Sequence, residues 1–221
     1  GDLTAYPIIE NIIKQKKPII LSTGLSNIDE IKKTIKFIQS KNKNYKNKNM
    51  LSLLQCTSSY PTIDEEVNLN VIKTLKKNFK LPIGYSHHNK GSLAMLTAYS
   101  MGAELLEFHF TDTRKGKKFR DHKISLTFRE TKELIKNLKR IKSLQGNFEK
   151  KPTKSEILSG HVISFRRAIY STKMLKAGKN LSNKFLVCLR PNVGLDSRDL
   201  KSSIGKKIKK NILPFERILL K

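Results

Sequence analysis

Along the first two thirds of the chain, short apolar runs alternate with amphipathic stretches. Residues 17–24, 50–56, 81–89 and 104–110 are runs of seven to nine residues, mostly apolar and ending in polar or turn residues, the pattern of strands buried on both faces. Between them Ile28, Ile31, Ile35 and Ile38, then Val67, Val71, Ile72 and Leu75, recur at helical spacing, and residues 91–101 are rich in small apolar residues. A further helix precedes the first strand at 7–15. Ser26 or Asn27 caps the helix after it, with Asp29 and Glu30 in its first turn. Thr127 and Glu130 form a capping box that opens the longest helix. Leu134, Ile135, Leu138, Ile141 and Leu144 are its expected buried stripe, and Gly146 is its end.

Strand, helix, strand repeats place neighbouring strands parallel, with every loop after a strand on one rim. Four such units, with the reactive residue types concentrated after the strands, predict an α/β fold that is the second half of a (β/α)8 TIM barrel. Residues 41–49 and 111–125 read as polar loops, the first of them mobile.

The pattern changes at 150–157, which reads as a linker between a partial barrel at 1–149 and a small β-rich domain at 158–221. In the latter, 165–170 and 185–189 read as short strands, 199–203 as a short helix, and Gly178, Pro191, Gly194 and Gly205 as interruptions. The opening Gly-Asp-Leu-Thr runs directly into a helix with no leading strand, the expectation for a segment of a longer protein.

A formal charge of +27 over 221 residues would draw attention to nucleic acid. The lysines are dispersed over the predicted helix surfaces, without a patch interleaved with aromatics, so neither nucleic acid nor membrane is an expected partner. The positive field would favour a phosphorylated, acidic substrate. Cys56 and Cys188 lie far apart with no CxxC spacing, which fits a reducing, cytoplasmic setting. No apolar run approaches the ~20 residues of a membrane span.

The chemistry concentrates at strand ends. His88 and His109 close two successive parallel strands, so both imidazoles fall on one rim, where with Asp121 they suit a divalent transition metal. Glu107 shares strand parity with His109 and is expected to point into the barrel, where a carboxylate needs a partner. Ser22, Ser58 and Ser86 end three strands, where hydroxyls can bind phosphate oxygens.

Taken in order, Gly-Asp-Leu-Thr (1–4), Lys-Pro-Ile-Ile-Leu-Ser-Thr-Gly (17–24), Gln-Cys-Thr-Ser-Ser-Tyr-Pro (55–61), Gly-Tyr-Ser-His-His (84–88), Glu-Phe-His-Phe-Thr (107–111), Arg-Asp-His-Lys-Ile-Ser-Leu (120–126) and Leu-Arg-Pro-Asn-Val-Gly (189–194) resemble the sialic acid synthase (N-acetylneuraminate synthase) family over essentially the whole chain. The resemblance implies a (β/α)8 barrel followed by an antifreeze-like (SAF) domain. It implies condensation of phosphoenolpyruvate with N-acetylmannosamine or a related 2-acetamido sugar, giving a nine-carbon 2-keto acid and phosphate. His88 and His109 would hold the metal, Mn2+ first, with Mg2+ or Co2+ as alternatives, and with Glu107 form the catalytic group. Ser22, Ser58 and Ser86 would contact phosphoenolpyruvate. Asp2, Tyr60 and Asp121 would hold the amino sugar, and Arg190 would reach the site of the neighbouring subunit in a domain-swapped homodimer.

The sequence departs from the family pattern at Ser58, His87, Asn89, Phe119, Arg120, Leu189 and Asn192. These departures leave open a legionaminic or pseudaminic acid precursor as acceptor, or a non-catalytic sugar- or phosphate-binding protein on the same scaffold. The family's leading strands have no counterpart in the sequence, so the segment by itself is expected to be inactive and poorly soluble.

Overall fold

A computed structural model describes residues 1–220 and divides the chain into two compact units, 1–146 and 147–221. In the first unit α1 (Tyr6–Lys14) precedes β1 (Ile19–Ser22), α2 (Ile28–Lys41), β2 (Leu51–Cys56), α3 (Val71–Asn78), β3 (Ile83–His87), α4 (Leu93–Ser100) and β4 (Leu106–Phe108). The short α5 (Arg120–Ile124) and the long α6 (Phe128–Gln145) follow. The strands form one parallel sheet in the order β1-β2-β3-β4. A parallel bridge between Phe110 and Leu126 carries the sheet one step beyond β4.

Register explains which residues face which way. Ile19, Leu21, Leu51, Leu53, Ile83, Tyr85, Leu106 and Phe108 share one parity across the ladder and join the helices in a single apolar core. The opposite parity holds Ile20, Ser22, Leu54, Cys56, Gly84, Ser86 and Glu107. This second face is polar toward the C-terminal ends of the strands. Gly84 lies on it because Leu54 and the Leu105 backbone occupy the space where a Cβ would stand.

The helix caps form as their side chains dictate. Asn27 with Glu30, and Thr127 with Glu130, make reciprocal capping boxes, and Gly146 ends α6 at φ 57°. Three expectations are corrected. The stretch 41–49 is held down by Tyr45, which is fully buried and donates its hydroxyl to the Lys17 carbonyl at 2.8 Å. The stretch 111–125 contains α5. On α6 only Leu134 is fully buried, while Ile135 and Leu144 face outward. Glu107 lies in register with Ser86 on the second sheet face, as strand parity requires, and its side chain is exposed.

The second unit contains α7 (Lys154–Leu158), α8 (His161–Ser164), β5 (Ala168–Ser171), β6 (Leu186–Leu189) and α9 (Leu200–Ser203). The expected linker thus carries a helix, started by a Thr153–Glu156 capping box that its polar composition concealed. β5 and β6 pair antiparallel over a small core of Ile169, Leu175, Leu181, Ile208, Ile212 and Ile218. β5 begins three residues later than the apolar run from Phe165, whose ring is exposed and faces Arg190. Among the described residues no helix is long and apolar enough to cross a membrane.

Candidate active site

β3 ends at His87, and the alternation of the strand sends His87 and His88 to opposite faces. His87 goes to the helix side, 1% exposed, where Nε2–H donates to the Gly91 carbonyl at 2.8 Å. Burial holds its pKa down at about 4, so the ring is neutral at physiological pH. The extra histidine beside His88 is therefore a packing residue.

His88 turns toward the polar face. Its Nδ1 lies 2.8 Å from the Thr57 carbonyl, which can only accept, so Nδ1 carries the proton and Nε2 keeps its lone pair. Burial lowers its pKa, against the Thr57 hydrogen bond and in concert with His109. The backbone is pinned as well, since the Thr62 amide donates to the His88 carbonyl at 2.9 Å. Asn89, buried beside it, donates to the Thr62 carbonyl and the Asp64 carboxylate and so ties down the same loop.

His109 follows β4, its carbonyl accepting from the Leu126 amide at 2.8 Å. The two imidazole centroids are 5.4 Å apart with planes tilted by 52°. Two imidazoles bound cis to one ion, with metal–nitrogen bonds of roughly 2.1 Å, bring their centroids about 5 Å apart, so the spacing suits a shared cation. His109 Nδ1 is 3.7 Å from Asp121 Oδ2, and the other Asp121 oxygen is buried without a hydrogen-bond partner. Among the described residues no three His, Cys, Asp or Glu donors are grouped to hold a metal by themselves. The histidine pair would leave the remaining coordination positions to water or substrate, as catalytic sites require.

Tyr60 packs against both histidines, its ring 4.1 Å from that of His88 and edge-on to His109 at 5.9 Å. Burial raises its pKa, so it is a neutral hydrogen-bond donor. On the other side of Tyr60 stands the Arg120 guanidinium, 4.8 Å from the ring centroid. Below the histidines, the Ser86 hydroxyl donates to Glu107 Oε2 at 2.5 Å. Cys56 lies in register with Ser86, and Gly24 leaves space filled by the Ser58 hydroxyl and the Cys56 thiol. Burial raises the Cys56 pKa and keeps that thiol protonated. Ser58 also lines a cavity of about 740 Å³ between the loops after β1 and β2.

The structure thus brings His88, His109, Tyr60 and Asp121 together, with Ser86, Glu107 and Ser58 on the adjoining sheet face. Ser22 and Asp2 lie at the β1 edge, where both line a cavity of about 310 Å³. Arg190 belongs to the second unit and is exposed there. Sequence reasoning did not place Arg120, Cys56 or the Thr57 carbonyl in the site. Cys56 was accessible from strand parity with Ser86, whereas a backbone acceptor leaves no trace in side-chain pattern.

The NeuB family model matches residues 1–150. The chain belongs to the NeuB family. NeuB relatives include an uncharacterised protein of Methanocaldococcus jannaschii, 39% identical over 95% of this chain and 60% of its own length. The N,N'-diacetyllegionaminic acid synthase of Campylobacter jejuni is 35% identical over 96% of this chain and 61% of its own length. A crystal structure of the N-acetylneuraminic acid synthetase of Leptospira borgpetersenii superposes with TM-score 0.63 at 32% identity, covering 72% of this chain and 54% of that one. The chain therefore spans about 60% of the length of these curated NeuB relatives.

Proposed function

We propose that the protein to which this chain belongs condenses phosphoenolpyruvate with the open-chain aldehyde of N-acetylmannosamine or a related 2-acetamido sugar. The products are a nine-carbon 2-keto acid and phosphate. The observation that carries the reading is the His88–His109 pair, 5.4 Å apart, with the His88 Nε2 lone pair free. In this reading the sheet is the second half of a (β/α)8 barrel and the site lies at the C-terminal rim of its strands.

His88 and His109 would hold a divalent cation, Mn2+ by preference, which when bound would supply Lewis acidity to the acceptor's aldehyde. Ser58, Ser86 and, at the β1 edge, Ser22 receive the phosphate and carboxylate oxygens of phosphoenolpyruvate through hydroxyl and backbone donors. Tyr60, Asp121 and Asp2 hold the acceptor by its hydroxyls. C3 of phosphoenolpyruvate attacks the aldehyde carbon, whose oxygen takes up a proton to become a hydroxyl; water adds at C2, and the hydroxyl it leaves there becomes the keto group, passing its proton to phosphate as the C2–O bond breaks. Glu107, exposed and oriented by Ser86, takes the proton released by that water. The second unit is an antifreeze-like domain in this reading. Its exposed Arg190 meets the acetamido group in the site of a second subunit of a cytoplasmic homodimer.

The test is phosphate release by the full-length protein. It should require phosphoenolpyruvate, a 2-acetamido sugar and a divalent cation together, and His88→Ala should abolish it. Binding of both substrates with no condensation product would instead favour a sugar- and phosphate-binding protein on this scaffold.

A further inference from the structure

Lysines that are dispersed along the sequence come together in the second unit. There residues 172–176 run antiparallel beside 209–213, with Leu175 and Ile212 exchanging both backbone hydrogen bonds at 2.9 Å. Those two side chains enter the core. Alternation sends their neighbours Met174 and Leu213, which stand opposite each other across the pair, to the outside, where they are 52% and 58% exposed. After Leu213 the chain turns, and the Glu216 amide donates to the Leu213 carbonyl at 3.0 Å. Pro214 is second in this turn and Phe215 third, at φ 59°. Glycine adopts that conformation freely, whereas a bulky aromatic is strained there. The strain brings the ring no burial, for Phe215 is 66% exposed.

Cations border these three side chains. Lys173, Lys176, Lys209 and Lys210 flank them in the chain, are exposed, and form no ion pair among the described residues. Lys173 and Lys179 crowd over one ring, 3.8 and 4.9 Å from the Phe185 centroid. The single acid of residues 206–217, Glu216, has Oε2 occupied by the Leu213 amide at 2.7 Å. Three apolar side chains on loop ends, bordered by unpaired ammoniums, match a surface that is anionic on top and apolar beneath. A bilayer of acidic lipids has that layering, and it conforms to protruding side chains without a matching groove. A folded acidic protein would need a shaped apolar counterpart.

We propose that this face of the second unit docks on an anionic membrane surface. Phe215, Leu213 and Met174 enter the headgroup layer, and the lysines beside them meet the lipid phosphates. The attachment is peripheral and needs no membrane-crossing helix. It does not depend on the synthase reading of the strand-end site, which stands or falls separately.

The experiment is cosedimentation of the full-length protein with phosphatidylcholine vesicles, with and without about one-third phosphatidylglycerol. The wild type should bind the anionic vesicles at least about tenfold more tightly than the neutral ones, and less as salt rises. Phe215→Gly should weaken that binding about five- to tenfold, with the urea midpoint held because glycine is at ease at this φ. Lys209→Gln with Lys210→Gln should weaken it about tenfold, whereas Lys32→Gln with Lys36→Gln, which removes equal charge from α2, should change it less than about twofold. No binding to the anionic vesicles at low salt overturns the proposal. So does binding left intact by Phe215→Gly or by the Lys209 and Lys210 pair, which would trace the attraction to the overall charge of the chain. Self-association without lipid that Phe215→Gly abolishes overturns it in favour of a second copy on the same face.

Discussion

The imidazoles of His88 and His109 face each other at 5.4 Å between centroids although 20 residues and a helix separate them in the chain. Parallel pairing of β3 with β4 makes that meeting unavoidable, because Ser86 is in register with Glu107 and each histidine follows two residues later. The pair is thus a consequence of sheet register, and perturbing the sheet beneath it should disturb the site.

Gly84 offers the sharpest such perturbation. A methyl group there would meet the Leu105 carbonyl and Cβ and the Leu54 side chain, and the backbone of β4 cannot move aside without moving His109. Gly84→Ala should cost about 1–3 kcal/mol in urea unfolding and should also weaken divalent-cation binding. A variant as stable as wild type would contradict the packing described.

Tyr45 should matter more than its setting in a Lys/Asn-rich stretch implies. Tyr45→Phe leaves the Lys17 carbonyl without its donor and should cost about 1–3 kcal/mol, and Tyr45→Ala about 3–5 kcal/mol. Equilibrium unfolding in urea measures both.

Acid should destabilise the fold through His87. Its folded pKa of about 4 is below the ordinary histidine value, so between roughly pH 6.5 and 4 the unfolded chain binds more protons than the folded one. Stability is fully present above that window and falls as pH drops through it, by up to about 3 kcal/mol from this residue. Urea midpoints measured without added metal at pH 7, 5.5 and 4.5 should decline for wild type. They should decline less for His87→Asn.

Much of this architecture was legible from residue order. The β1 to β4 runs are short and apolar, Asn27 and Thr127 are strong caps, and strand parity puts Ser86, Glu107 and the histidines on one face. What stayed hidden depended on partners distant in sequence. Tyr45 in a polar stretch reveals its burial only through the Lys17 carbonyl, and Arg120 its location only through Tyr60. The stripe on α6 was over-read because periodicity does not say how far along a helix its neighbours extend, and Leu144 lies beyond them.

Asp121 should tune the centre without being essential to its assembly. Asp121→Asn removes the carboxylate beside His109 and should weaken divalent-cation affinity about 10- to 100-fold, with little change in unfolding midpoint. Calorimetric titration with Mn2+ distinguishes this from a general loss of structure.

The most direct measurement is electron spin-echo spectroscopy of the Mn2+-loaded full-length protein. The account predicts two imidazole nitrogen couplings in the wild type, and one in each of His88→Ala and His109→Ala. Mn2+ bound without nitrogen coupling, or a spectrum unchanged by either substitution, would contradict a cation shared by these two histidines.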